Sequence, residues 1–505
     1  MIRLRQLSFL SGAAALTLLI PAPAAAGVAP VTASPGVSSF DGLDDAKEES
    51  SAWYIQGLED LAEWCQDERA FQQRDAAYEG ILVVDPEHKK ARRYLKWTFD
   101  RSAGEWTRRR PYKLPSAGEP EIVAEARARR ARLDVQYVDG MLEVLEEFQG
   151  RISPQRSTAE YDRLLQLAPD YAKLRTLLGY VKVEKDGETV WRTELAVATD
   201  QRRAELAEQL EKMRAKVPQS AGVDLIAPEP TLKVQFSSHI GNDRVRVVGD
   251  VSGDEAQQIA DMGYLARDYL PVVLGGELPL YEDFTYYVIN PRNKVSFIRS
   301  YPGIPADSLE TYPQMFSGWM PGGTRVGCWG PDTEQRLDMA LKQTTVMYMQ
   351  VVHGVPWKRG WLIEGVGLYV NQLVLKTRHS FQVEITRYDD PTKPNTAREM
   401  PDQSDDWLEV AGEVLAEVRP TRLAATLGRN TSKMSAEDII LSYAMVKYLR
   451  EAHGEEALIK IMKAAGAEEG GSSVVALEAL FDMKLPQIQE QLRLWIEEVG
   501  GNDFD

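Results

Sequence analysis

The chain has 505 residues and a formal net charge of −17 at pH 7, with 59 lysines and arginines against 76 aspartates and glutamates. This acidic balance argues against a nucleic-acid partner, because phosphate contacts need dense lysine and arginine. The two cysteines, Cys65 and Cys328, exclude a scaffold built on disulfides, and we predict that both are buried thiols. A chain of this length exceeds one hydrophobic core, so two to four domains are expected.

The N-terminus has the pattern of a secretory signal peptide. Arg3 and Arg5 give a positive start, and residues 7–20 form an uncharged apolar stretch that is short for a membrane span. Small residues end this segment at Ala26, so we predict a signal peptide over residues 1–26 and a secreted or periplasmic protein. The alternative is an N-terminal membrane anchor. No later uncharged apolar run is long enough to span a bilayer, so no transmembrane segment is expected in the mature chain.

Residues 27–50 are rich in Ala, Pro, Ser, Gly and Asp and lack periodicity, which predicts a flexible linker. Apolar residues then recur at helical spacing, and one pattern returns 83 residues later: Tyr78, Leu82, Pro86, Arg92, Leu95 and Trp97 match Tyr161, Leu165, Pro169, Arg175, Leu178 and Tyr180. We predict an all-α helical-repeat region over residues 51–216. Its pattern resembles tetratricopeptide-type repeats, which typically bind proteins, although a plain helical spacer is an equal alternative.

Turn-forming residues mark a second boundary. Gly222, Pro228 and Pro230 predict a linker over residues 217–230. Beyond it, short alternating or apolar runs predict strands, among them Thr324–Trp329, and nearly everything after Asp332 is helical. Strands followed by a block of helices predict an α+β domain over residues 231–500.

One short sequence motif in this domain is typical of a metal-binding active site. Residues 361–369 read Trp-Leu-Ile-Glu-Gly-Val-Gly-Leu-Tyr. The phrase resembles that of the gluzincin, or peptidase MA-like, zinc metallopeptidases, in which it has Ala where this chain has Gly367. In that family a preceding helix carries His-Glu-x-x-His, whose two imidazoles bind zinc together with the glutamate of the second helix. The resemblance implies a gluzincin-like domain over residues 231–500, with Glu364 at the third ligand position.

The other ligands are missing. Counting back from Glu364 with 16 residues in between, Gln343 and Met347 stand at the histidine positions and Thr344 at the catalytic glutamate. An amide and a thioether are poor zinc ligands, and a threonine hydroxyl cannot act as a general base near neutrality. A shifted register recovers His353 but leaves only ten residues before Glu364. We therefore predict no metal site, no cofactor and no catalytic residue.

The resemblance also implies a substrate cleft beside an edge strand. We expect the strand at residues 324–329 to border it, with Gln343 as the hydrogen-bond donor to Glu364. An extended peptide could bind there by strand addition. The side chains proposed to contact the peptide are Thr324, Val326, Cys328, Trp361, Glu364 and Tyr369.

These observations favour an exported, catalytically inactive metallopeptidase-like protein that binds a peptide or protein partner. Two alternatives stay open. One is an active peptidase or hydrolase with an atypical metal site. The other is a structural cell-envelope scaffold that acts through its helical repeats.

Overall fold

The computed structural model describes residues 42–100, 105–108, 118–152, 154–185, 187–277, 284–306, 308–311, 318–322, 324–381, 400–417, 421–467 and 472–500. The predicted signal peptide and residues 27–41 of the predicted linker lie outside these ranges. The chain divides into two compact units, Met1–Tyr171 and Ala172–Asp505.

The first unit is built around a long helix that begins earlier than expected. Its helices and strands are α1 (Leu43–Asp67), α2 (Phe71–Val84), α3 (Lys89–Tyr94), β1 (Trp97–Asp100), β2 (Glu105–Arg108), α4 (Pro120–Glu147) and α5 (Pro154–Leu167). The linker prediction is wrong for residues 43–50, which form the first turns of α1. Leu43 is buried there, and Lys47 pairs with Glu160 of α5. These tertiary contacts order a segment whose composition alone favours disorder.

The repeated sequence pattern ends in a β-hairpin each time. The first copy runs through α2 and α3 into β1 and β2, and the second through α5 and α6 (Ala172–Leu177) into β3 (Tyr180–Lys185) and β4 (Glu188–Thr193). In both copies an arginine lies over a hairpin aromatic ring, Arg92 over Trp106 and Arg175 over Tyr180, each at 4.4 Å. The prediction of an all-α region is therefore wrong, because these β-branched and aromatic runs favour pleated pairing.

The second unit contains a six-stranded sheet in the order β5-β6-β7-β8-β10-β9. Its strands are β5 (Ala221–Gly222), β6 (Ser238–Gly241), β7 (Arg246–Gly249), β8 (Thr285–Val288), β9 (Gly318–Gly322) and β10 (Arg325–Cys328). The strand β8 pairs in parallel with β7 and β10, whereas β9 runs antiparallel to β10 at one end of the sheet. The prediction that residues 324–329 form the edge strand is wrong, since β10 lies between β8 and β9.

The division between the units also differs from the predicted linker at 217–230. Within that stretch, β5 pairs with β6. The helix before it, α7 (Glu194–Arg214), packs inside the second unit. There Thr199 accepts a hydrogen bond from the indole of Trp495 at 3.0 Å, and the Leu206 carbonyl accepts one from Tyr269 at 3.0 Å. The contacts of the buried face of α7 therefore place this helix in the second unit, although turn-forming residues follow it.

Helices cover both faces of the sheet. The remaining helices are α8 (Gly253–Leu274), α9 (Lys294–Ser300), α10 (Ser308–Thr311), α11 (Thr333–His353), α12 (Gly360–Leu375), α13 (Trp407–Glu417), α14 (Thr421–Gly428), α15 (Ala436–Lys447), α16 (Glu455–Gly466), α17 (Ser473–Phe481) and α18 (Leu485–Val499), with a π-helical turn at Tyr448–Ala452. Strand residues alternate between two cores, so Tyr286 packs with the large helical core and Tyr287 with α9. The mixed α+β class is confirmed at this coarse level.

Two further expectations concern buried thiols and membrane spans. Cys65 and Cys328 are free and buried, each in its own unit, as predicted. Across the described residues, we find no helix with both the length and the apolar character needed to cross a membrane.

Candidate functional site

The candidate site lies between two consecutive helices that pack together, α11 and α12. The side chain of Asp332 caps α11 by accepting from the amide of Gln335 at 2.8 Å, and Gly354 ends the helix with a φ of 69°. The motif glycine Gly365 lets α12 approach α15 closely, because a Cβ there would meet the carbonyl oxygen of Ser442. The Glu-Gly pair of the motif therefore has a packing function that is independent of metal binding.

Glu364 is fully buried and forms an ion pair with Lys342, which is also fully buried. The ammonium of Lys342 additionally donates to the carbonyl oxygen of Ser380 at 2.6 Å. A buried carboxylate needs such compensation, since an isolated charge in the interior is strongly disfavoured. Lys342, which precedes the predicted donor Gln343 by one residue, donates a hydrogen bond to Glu364. The lysine therefore supplies a charged partner that the sequence prediction did not include.

Gly367, which stands where the resembled family has alanine, leaves space for the side chain of Lys342. A Cβ on Gly367 would lie 2.9 Å from Cγ and 3.1 Å from Cε of Lys342. Atoms at such separations overlap, so the alanine typical of the family would displace the lysine stem. Gly367 and Lys342 are therefore sterically matched: the glycine leaves the space that the lysine side chain fills.

An aspartate on the face of α11 that carries Lys342 fixes the position of the chain that follows α12. Asp338, one turn before Lys342, accepts from Thr377 Oγ1 at 2.6 Å and from the amides of His379 and Ser380 at 3.1 and 2.7 Å. Together Asp338 and Lys342 hold residues 377–380 against α11. Among the described residues, the site is thus a buried polar network at this point.

Thr344, which stands at the position of the catalytic glutamate in the resembled family, also has hydrogen-bond partners. The Thr344 hydroxyl lies 2.8 Å from the hydroxyl of Tyr286, on β8, and 2.8 Å from the carbonyl of Ala340. Burial raises the pKa of Tyr286, so its hydroxyl stays neutral. Two neutral hydroxyls that hydrogen-bond to each other offer no group able to take up a proton near neutrality.

Gln343 and Met347 share a face of α11, as their spacing requires, but this face is not the one that carries Lys342. Successive residues of an α-helix are turned by about 100°, since one turn holds 3.6 residues. The amide of Gln343 reaches β9, where a Cβ added to Gly318 would collide with it. Met347 is part of the large core. The structure therefore brings Glu364 together with Lys342, and Gln343 with the sheet edge.

The proposed peptide-contacting side chains are mostly inaccessible. Val326, Cys328, Trp361, Glu364 and Tyr369 are fully buried. The indole of Trp361 donates to Ser473 Oγ at 2.9 Å, which ties α12 to α17. Thr324 is partly exposed. All five side chains are enclosed in the interior of the unit.

Sequence reasoning missed Lys342, Asp338 and Tyr286. The available signal was a lysine within an apolar helix, followed 25 positions later by glycine where the resembled family has alanine. The described residues contain no cluster of three or more His, Cys, Asp or Glu side chains that could hold a metal ion. Comparisons of the chain with protein-family models, with curated proteins and with solved structures gave no match.

Proposed function

We propose that this protein is an exported, catalytically inactive metallopeptidase-like protein that binds an extended peptide or a protein segment. The observation that carries the proposal is the buried ion pair of Lys342 with Glu364. The export component rests on the N-terminal sequence pattern, and the metallopeptidase resemblance rests on residues 361–369.

The positive charge of Lys342 explains why Glu364 would not bind a metal ion. The zinc site of the resembled family needs a free carboxylate at this position, and the carboxylate of Glu364 already balances an ammonium ion. A divalent cation near Lys342 would meet a like charge in a buried setting, where repulsion is poorly screened. Lys342 thus supplies internally the positive charge that a metal would supply to this glutamate.

Peptide binding is proposed at β9 and not at β10. Among the strands that the structure describes, β9 is the last in the sheet order, and its outer edge carries the main-chain groups that strand addition uses. Pro321 lies within it, and proline within a sheet is typical of edge strands because it lacks an amide hydrogen. Binding through the main chain would tolerate many peptide sequences, which suits a partner-binding module with no catalytic specificity.

Metal analysis tests the inactive-enzyme part. We expect purified wild-type protein to hold no stoichiometric zinc and to leave unfolded proteins uncleaved. The variant Lys342→Ala, Gln343→His, Thr344→Glu, Met347→His should bind zinc no more tightly than the same variant with Glu364→Ala, because positions 343 and 347 lie on a different face of α11 from the residue that contacts Glu364. One equivalent of zinc in the wild type, with peptidase activity lost on Glu364→Ala, would overturn the proposal.

Peptide selection tests the binding part. Unstructured peptides selected on immobilised wild-type protein should lose affinity when their backbone is N-methylated at alternate residues, because strand addition requires their amide hydrogens. N-methylation at the intervening residues is the matched control. Equal loss at both sets, or no selected peptide at all, would contradict binding at the sheet edge.

A further inference from the structure

The first unit contains a cavity with a volume of about 410 Å³. Helices α1, α2, α4 and α5 contribute side chains to its wall, together with the chain that follows α5. The volume lies within the range of about 300–1,000 Å³ that is typical of ligand pockets. Much of the wall is apolar, with contributions from Leu61, Ala77, Ala126, Val135 and Leu167.

Two charged side chains of α4, Arg130 and Asp134, form a polar part of this wall. Arg130 donates through Nη1 to the carbonyl oxygen of Ala76 at 2.8 Å and through Nε to Asp134 Oδ1 at 2.6 Å. Its guanidinium also lies over Gly80, where an added Cβ would collide with it. The hydroxyl of Tyr54 donates to the same oxygen of Asp134. Contacts within the protein therefore fix both charged groups before any ligand binds.

The carboxylate of Asp134 has one oxygen without a protein partner. Asp134 is only 7% exposed, and both Tyr54 and Arg130 donate to its Oδ1. Among the described residues, Oδ2 accepts no hydrogen bond, yet it is not sealed from solvent. Because Asp134 lines the cavity, Oδ2 faces this space. Burial raises the pKa of Asp134 against the opposing effect of Arg130, so the protein alone stabilises this carboxylate incompletely.

The charged side chains that line the cavity balance each other. Arg127 and Arg130 are matched by Asp134 and Asp170, and Arg127 and Asp170 are exposed to solvent. A charged ligand would lose its water on entering a largely apolar space that offers no net opposite charge, which is strongly unfavourable. A neutral hydrogen-bond donor loses much less hydration free energy. The cavity therefore favours an uncharged molecule that can donate a hydrogen bond to Asp134 Oδ2.

We propose that this cavity binds a small uncharged amphiphile whose apolar body contacts the wall and whose hydroxyl group donates to Asp134 Oδ2. The apolar side chains supply binding free energy by removing the body of the ligand from water. The hydrogen bond to a charged acceptor fixes the orientation of the ligand and selects molecules with a donor. The site belongs to the first unit and is independent of peptide binding at β9.

A set of hexyl compounds tests the chemistry of the ligand. In titration calorimetry of the wild-type chain, 1-hexanol should bind roughly tenfold more tightly than its isomer 1-methoxypentane, which has no hydroxyl hydrogen to donate. Hexylammonium and hexanoate should both bind more weakly than 1-hexanol, because their charges lose water. Equal affinity for the alcohol and the ether would mean that water satisfies Oδ2, and would overturn the proposal. Absence of 1-hexanol binding, or tighter binding of either ion, would overturn it as well.

Variants of α4 locate the bound probe. Ala131 is exposed and lines the cavity, so Ala131→Phe should fill part of the space and weaken 1-hexanol binding by roughly tenfold or more. Ala128→Phe is the matched control, since Ala128 is exposed on the same helix outside the lining, and its affinity should match the wild type.

Asp134→Asn tests the hydrogen bond itself. The variant should lose most of the preference for 1-hexanol over 1-methoxypentane, because an amide NH₂ can donate to the oxygen of either compound. Thermal unfolding verifies that each variant is folded. An unchanged preference in Asp134→Asn, or equal weakening by Ala131→Phe and Ala128→Phe, would contradict binding at this cavity.

Discussion

Each unit of the molecule contains an ion pair with a buried carboxylate, and the two pairs are built differently. In the second unit Lys342 and Glu364 come from different helices and are both fully buried. In the first unit Arg130 and Asp134 are one turn apart on α4, and the Arg130 side chain is 21% exposed. Lys342 and Glu364 thus join two helices, whereas Arg130 and Asp134 lie within one helix.

The partners around each pair make the difference sharper. Lys342 has a second acceptor at the Ser380 carbonyl, and Gly367 makes room for its stem. Asp134 is shared between Arg130 and the hydroxyl of Tyr54. Burial nevertheless raises the pKa of Asp134, against the opposing effect of Arg130. Sequence proximity of opposite charges therefore does not ensure that a buried carboxylate is fully compensated.

The largest expected effect concerns the pair between helices. Lys342→Met leaves Glu364 buried without its cation, so the free energy of unfolding should fall by about 3–5 kcal/mol. The double variant Lys342→Met, Glu364→Gln removes both charges and should cost clearly less than the single change. Urea unfolding measures both. A double variant as unstable as the sum of its single variants would show that the two side chains do not interact.

A smaller effect tests the steric match. Gly367→Ala should lower the free energy of unfolding by about 1–3 kcal/mol, because the new methyl overlaps the Lys342 stem. In a Lys342→Ala, Glu364→Gln background the same change should cost little, which a double-mutant cycle measures. Gly365→Ala is the control, since its methyl would meet the backbone of Ser442 and no change at Lys342 can relieve it.

The smallest effect concerns the pair within α4 and depends on pH. Because the pKa of Asp134 is raised in the folded protein, its contribution is fully present below the unfolded value, near 3.9, and is lost as pH rises through the folded value. The stability of the wild type relative to Asp134→Asn should therefore decrease from pH 4 towards pH 8. Urea unfolding of both proteins across this range checks the sign. An increase would mean that Arg130 outweighs burial.

Local patterns predicted several elements correctly. The helical spacing of Ile488, Leu492, Trp495 and Val499 predicts an apolar stripe on the last helix, and these residues are buried along α18. The apolar run at residues 286–289 predicts a short buried strand, and β8 lies there with both faces packed. Such elements follow from period and composition because one buried face suffices to define them.

Nonlocal arrangements were predicted less well. The partner of Glu364 depends on the rotation of α11, and a shift of one residue turns the side chain by about 100°. Spacing between motifs does not fix that angle, so Gln343 was expected where Lys342 lies. The strand order was missed for a related reason, since β10 and β9 are adjacent in sequence and only their pairing decides which one ends the sheet.

The sequence by itself determined the acidic charge, the N-terminal apolar segment, the main helices and the absence of histidine and glutamate from the aligned ligand positions. The tertiary structure decided which charges meet, which strand forms the edge and where the two units divide. The physical reason is that periodicity records how one element faces its core. Contacts between elements depend on helix rotation and on burial shared by residues far apart in the chain, such as Thr199 and Trp495.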